Sequence, residues 1–113
     1  MFLQILKIIG GVATIATGFV SLFWPLKVPG FTGLDPNGGR GITEIRTILG
    51  ALFVGFGAVV LYYRSPEAYM ILGVTYLVMA LVRGVSILVD RSAVSSNIIS
   101  FVVELVFGII LVL

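Results

Sequence analysis

Residues 68–89 read AYMILGVTYLVMALVRGVSILV, 22 residues that carry a single charge, Arg83. About 20 apolar residues at 1.5 Å rise per residue cross a hydrocarbon core of about 30 Å, so this stretch has the length and composition of one membrane crossing. Working outward, three more segments meet the same test: 42–63, 2–24 and 97–113, of 22, 23 and 17 residues. The last is short, but hydroxyls at Ser95 and Ser96 are suited to cap a helix that starts there. The expected structure is all-α: a single transmembrane domain over 1–113, with four spans packed as an integral membrane four-helix bundle. Four crossings return both termini to one side and put the loops at 25–41 and 90–96 together on the other.

The rest of the chain agrees. Hydrophobic residues make up 59% of the 113 and charged ones 11%, with a mean hydropathy of +1.21. A water-soluble domain needs roughly a quarter of its residues charged. With no Cys and no His, the chain has no disulfide frame, no thiolate nucleophile and no imidazole base, and haem, iron–sulfur and zinc sites are not expected. The first span is expected to be retained rather than cleaved: Lys7 is its only basic residue, and Val20-Ser21-Leu22-Phe23-Trp24-Pro25 lacks a small-x-small cleavage pattern. Phe23 and Trp24 are expected at one membrane surface and Tyr62, Tyr63 and Tyr69 at the other, because amphipathic rings settle at headgroup level.

Lipid tails give helices no hydrophobic drive to associate, so close approach at small residues must hold the bundle, or an oligomer of it, together. In the first span Gln4, Lys7, Gly11, Thr14, Gly18 and Ser21 recur at spacings of three and four, which is one helical face. The second offers Thr47, Ala51 and Gly55, with Gly50 and Gly57 nearby. The third offers Ala80 and Gly84, and the fourth Ser96, Ser100, Glu104 and Gly108.

Charge placement is the most informative pattern. Of seven basic and five acidic residues, nine fall on the side of the two long loops: Lys27, Asp35, Arg40, Glu44, Arg46, Arg83, Asp90, Arg91 and Glu104. Lys7, near the other end, can extend its alkyl stem toward the headgroups. Arg83 lies seven residues before Asp90, and Glu104 seven after Asn97; both are therefore roughly 10 Å inside the membrane. A lone charge at the bilayer centre costs about 2.5 to 3.5 kcal/mol on insertion scales, so an Arg83–Glu104 pair is the simplest arrangement. Tyr76, Arg83, Ser86 and Asp90 share a face of the third span. Arg40 and Glu44, four apart, are placed to pair along their helix, which would leave Arg46 to face inward with Arg83 and Glu104. Arg46, Arg83, Glu104, Glu44, Arg40, Asp90 and Tyr76 are the candidate site. Two uses remain open for it. One is a structural ion-pair network that fixes helix register; the other is an interfacial pocket in which guanidinium groups hold a carbonyl-bearing or anionic headgroup while the helices hold its tail.

The first loop, Pro25 to Gly41, is rich in Gly and Pro, with Asp35-Pro36-Asn37-Gly38 a turn sequence. It lacks the Lys-Ser or Lys-Thr ending of a phosphate-binding loop. Phe31 and Leu34 give it apolar anchors, and it is expected to fold over the charge cluster as a lid.

The run Asn37-Gly38-Gly39-Arg40-Gly41-Ile42-Thr43-Glu44-Ile45-Arg46, followed by Gly50, Arg83 and Glu104, resembles a family of short bacterial four-span proteins of unknown function related to the DoxX-like group. The resemblance implies a four-helix bundle and, for some DoxX-like members, association with quinone-linked redox systems. It carries over no catalytic residue.

The expected function is non-enzymatic: binding of an amphipathic ligand, lipid or quinone-like, or of a partner at the charged cluster. An accessory subunit of a larger membrane complex is the alternative, through the small-residue stripes; a small transporter or channel is a further one, although it would need polar groups across the whole membrane. An enzyme would have to use Glu104 or Glu44 as acid or base. Expected partners are membrane lipids and a second copy or another membrane subunit, not nucleic acid, and the expected location is a bacterial inner membrane. The positive-inside rule would place the cluster in the cytoplasm.

Overall fold

Apolar side chains dominate the outside of this protein and small or polar ones its inside. Along one helix Ile71, Val78, Leu81, Val82 and Val85 all face outward, whereas the buried set includes Lys7, Thr14, Ser21 and Glu104. That inversion is what a lipid solvent selects. The computed structural model describes residues 1–113. Four of its helices are long and apolar enough to cross a membrane: α1 (Phe2–Phe23), α3 (Gly38–Tyr63), α4 (Pro66–Val89) and α5 (Ser95–Val112). The fifth, α2 (Pro29–Thr32), is a single turn in the first loop. There are no strands; the protein is an all-α, multi-pass membrane bundle.

Local chemistry sets the helix ends. Ser65 caps α4, its hydroxyl accepting from the Ala68 amide at 3.1 Å, with Pro66 at the first position and Glu67 in the first turn. Arg64 closes α3 in the left-handed conformation, φ +47, so that only Arg64 and Ser65 connect α3 to α4. At the other end of α4, Arg91 is left-handed as well, φ +52, and the Ser92 amide bonds back to Ile87 at 3.1 Å.

α3 begins four residues upstream of the expected Ile42, and its course is not a regular α-helix. Over Ile45–Ala51 it widens into π-helix, with the Leu52 amide reaching the Thr47 carbonyl five residues back. The wider turn changes which side chains face the bundle. Ile45 and Gly50, five apart, are buried, while the expected stripe of Thr47, Ala51 and Gly55 lies on the outside.

The helices form two tight antiparallel hairpins, α1 with α3 and α4 with α5, joined by a thinner seam. A Cβ at Gly18 would stand 2.7 Å from the Gly50 carbonyl oxygen, and one at Gly57 would stand 3.1 Å from that of Gly11. Two glycine pairs, each seven residues apart along its helix, thus let the α1 and α3 backbones touch. In the second hairpin Gly73 meets Leu111 and Gly108 meets Leu77 in the same way. The face expected for α1 is the one that packs, from Lys7 through Ser21, apart from Gln4, which is exposed.

At the end holding the chain termini, Val60, Tyr69, Leu72 and Leu111 close into an apolar core. Tyr69, expected at the headgroups with Tyr62 and Tyr63, is instead buried in this core: it lies in the first turn of α4, facing α1. Tyr62 and Tyr63 are exposed, as are Phe23 and Trp24 at the opposite surface. The Trp24 indole packs with the rings of Phe19 and Phe23, at 6.1 and 6.3 Å.

Candidate functional site

At the loop end the hairpins diverge, and Arg83 and Glu104 face each other across the α4–α5 interface. Arg83 Nε donates to Glu104 Oε1 at 2.7 Å and Nη2 to Oε2 at 2.8 Å. This two-pronged geometry is the strongest a guanidinium makes with a carboxylate. Nη1 donates to Asn97 Oδ1 at 2.9 Å, and Asn97 Nδ2 in turn donates to the carbonyl and hydroxyl of Ser92 at 3.0 and 3.1 Å. The network therefore ties the α4–α5 loop to the ion pair. Arg83 has five N–H groups, of which three are engaged. One hydrogen on each Nη remains for another acceptor.

Those hydrogens belong to a side chain that lies between two cavities. The inner one, about 430 Å³, runs between the hairpins; its walls include Phe53, Tyr76, Met79, Val103 and Phe107, with Arg83 and Glu104 toward the loops. Ser96 and Ser100 also line it, and their side chains have no hydrogen-bond partner in the protein. The outer cavity, about 680 Å³, lies on the surface side, among Ser86, Asp90, Ser92 and Asn97. Arg83 thus separates a mostly apolar chamber from a polar vestibule.

Tyr76 is held in the seam. The Thr14 hydroxyl donates to the Gly10 carbonyl at 2.8 Å, which leaves its oxygen to accept from the Tyr76 phenol at 2.6 Å. This bond joins α1 to α4, and the Tyr76 ring meets Phe107 edge-on at 5.8 Å.

The first loop covers the inner chamber with Gly30, Phe31 and Thr32, and α2 rests on α5. Its anchors are not Phe31 and Leu34, which are exposed, but Pro25 and Val28; Val28 is completely buried. The Gly33 amide closes α2 onto Pro29 at 3.1 Å with φ +74, a left-handed cap that glycine adopts without strain.

Of the seven candidate residues, Arg83, Glu104 and Tyr76 share the inner chamber, and Asp90 lines the vestibule. Arg40 and Glu44 do pair, at 3.1 Å, but as an exposed pair on the helix surface. Arg46 is exposed and forms no ion pair. It does not join Arg83 and Glu104 because the π-helical turn gives the inward positions to Ile45 and Gly50.

Two residues outside that set matter. Asn97 lies seven residues before Glu104 and so on the same face of α5, a spacing that already places it beside the pair. Lys7 is only 6% exposed rather than extended to the headgroups; its ammonium sits 5.6 Å from the centre of the Tyr69 ring, a cation–π arrangement. Its membership of the Gly11–Thr14–Gly18 face is the sequence signal for that burial.

The model of a family described only as a domain of unknown function, DUF4345, matches residues 2–113. The chain belongs to this family. The match spans both hairpins, so the Arg83–Glu104 pair and the chamber beneath α2 lie wholly within the family domain. No curated protein and no solved structure matches the chain.

Proposed function

We propose that this protein is a non-enzymatic binding protein of the membrane, holding an amphiphile whose uncharged head carries carbonyl oxygens. The observation that carries the proposal is the pairing of Arg83 with Glu104 on the wall of the inner chamber. Because the carboxylate neutralises the guanidinium, the wall offers hydrogen-bond donors without net charge, which favours a neutral acceptor over an anion. Two Arg83 N–H groups and the Ser96 and Ser100 hydroxyls are the donors. Phe53, Tyr76 and Phe107 offer flat apolar surface for a ring. A cavity of about 430 Å³ is within the range of roughly 300–1,000 Å³ typical of small-molecule sites. Quinones have this chemistry, and a relationship of the family to the DoxX-like group, which the resemblance of the Arg40–Arg46 segment implies, would fit the same class; a bacterial inner membrane would be the corresponding location.

Native mass spectrometry of protein released from gently extracted membranes tests the proposal. The native chain is expected to carry an amphiphile of this class, and Arg83→Gln to lose it while keeping its helical content. Equal occupancy in both proteins overturns it.

A second reading is favoured by one observation: Thr47, Ala51 and Gly55 face outward, and nothing lies within 4 Å of a Cβ built on Gly55. Small residues exposed to lipid permit close approach of another helix, as expected of a homo-oligomer or an accessory subunit. Gly55→Leu would then convert the assembly to a monomer in native-like membranes; an unchanged mass counts against it.

A further inference from the structure

A second space adjoins the inner chamber past Tyr76. A smaller cavity of about 230 Å³ lies beyond, between Thr14, Leu52, Phe56, Leu72 and Thr75, and shares Phe53, Tyr76 and Met79 with the chamber above. These three side chains stand between the two, as the constriction that a chain would have to pass. Met79 is unbranched and pliable, whereas the Tyr76 ring is held by its bond to Thr14.

The lower cavity is suited to hydrocarbon alone. Its only hydroxyls other than Tyr76 belong to Thr14 and Thr75, and each is already spent on a backbone carbonyl of its own helix, Gly10 at 2.8 Å and Ile71 at 2.8 Å. It also reaches the lipid. Leu52 on α3 is 54% exposed and Thr75 on α4 is exposed, so the opening lies in the thin seam between these helices. Leu52 and Thr75 stand eleven and nine residues from the paired helix ends at Tyr63 and Pro66, about 16 and 14 Å along the axis. That is close to the middle of a core about 30 Å thick, the depth at which hydrocarbon chains end.

We propose that the bound amphiphile has a single chain, which descends from the Arg83 donors through the Phe53–Tyr76–Met79 constriction and leaves between α3 and α4 into the bilayer. The proposal rests on the binding function above and adds a lateral exit. The head is retained near the surface while the chain remains dissolved in lipid, so chain length is not limited by the volume of the protein.

Two probes test this in lipid nanodiscs: a benzoquinone bearing a decyl chain, and the same ring with methyl in its place. Leu52→Trp and Thr75→Trp fill the opening from either helix, and Val59→Trp places an indole on the lipid-facing side of α3 as a control. The decyl probe is expected to bind at least tenfold more weakly to both plugged variants. The methyl probe should change less than twofold, and Val59→Trp should alter neither. Undiminished decyl binding to the plugged variants overturns the exit while the binding function stands. Equal loss of both probes overturns it too, because the plugs would then act on the head. Failure of the native protein to bind either probe overturns the binding function itself, and the exit with it.

Discussion

The two ends of the bundle are built in opposite ways. Where the termini lie, Val60, Tyr69, Leu72 and Leu111 meet in a closed core, with Gly10 and Gly73 fitted against Leu111. Where the loops lie, the same helices hold open space, a bidentate ion pair and a strap anchored by Val28. In a bilayer, contact between helices must come from packing and hydrogen bonds, and one tightly packed end is enough to fix the helices' mutual arrangement. The other end is then free to keep a cavity that a fully packed bundle would lose.

The largest expected break in this contrast comes from the closed end. Leu111→Ala leaves a void against Gly10 and Gly73 and should lower stability by about 3 kcal/mol, read as thermal unfolding in nanodiscs. Val103→Ala, on the wall of an existing cavity, should change it by less than about 0.5 kcal/mol. Similar losses at the two positions would remove the distinction.

Next in size, Glu104→Ala strands Arg83 without its carboxylate. Loss of one partner of a buried pair costs about 3–5 kcal/mol; because the Arg83 side chain is 31% exposed, about 2 kcal/mol is expected here. Replacing both, Arg83→Met with Glu104→Leu, should recover most of the stability yet abolish ligand binding. Stability and binding falling together in the double variant would mean that the pair acts only as a structural brace.

A smaller effect tests the seam. Thr14→Val keeps the shape of the side chain but removes the acceptor for the Tyr76 phenol, and should cost about 0.6 kcal/mol, the average for an interhelical hydrogen bond in a membrane. Hydrogen exchange should then rise at the loop ends of α1 and α4 while the core around Leu72 stays protected. The smallest effect belongs to Arg46→Gln, within about 0.5 kcal/mol and with ligand occupancy unchanged, since this side chain faces outward. A marked loss of ligand from Arg46→Gln would place the site elsewhere.

Much of this architecture could be read from the sequence where a helix is regular. The α1 face from Lys7 to Ser21 and the α5 face of Ser96, Ser100, Glu104 and Gly108 follow from 3.6-residue periodicity, and the Arg83–Glu104 pair from matching depth and opposite charge. One departure from that periodicity originates in α3. A π-helical turn shifts the phase of a helix, and no composition rule marks where one occurs, so Arg46, expected to face inward, faces outward together with the Thr47–Ala51–Gly55 stripe. Tyr69 differs from expectation for another reason. Its burial depends on which residue of a neighbouring helix stands opposite, and single-helix periodicity does not contain that register. The cavities, likewise, come from the divergence of two hairpins, a property of the assembled bundle alone.

The position of Trp24 gives the molecule a built-in optical sensor. It is the single tryptophan of the chain, set between the rings that end α1 and the turn at Pro25 from which the covering strap departs. A displacement of the strap relative to α1 would change the surroundings of that one indole, so its emission would report such a movement without a label, and with no second indole to blur the signal.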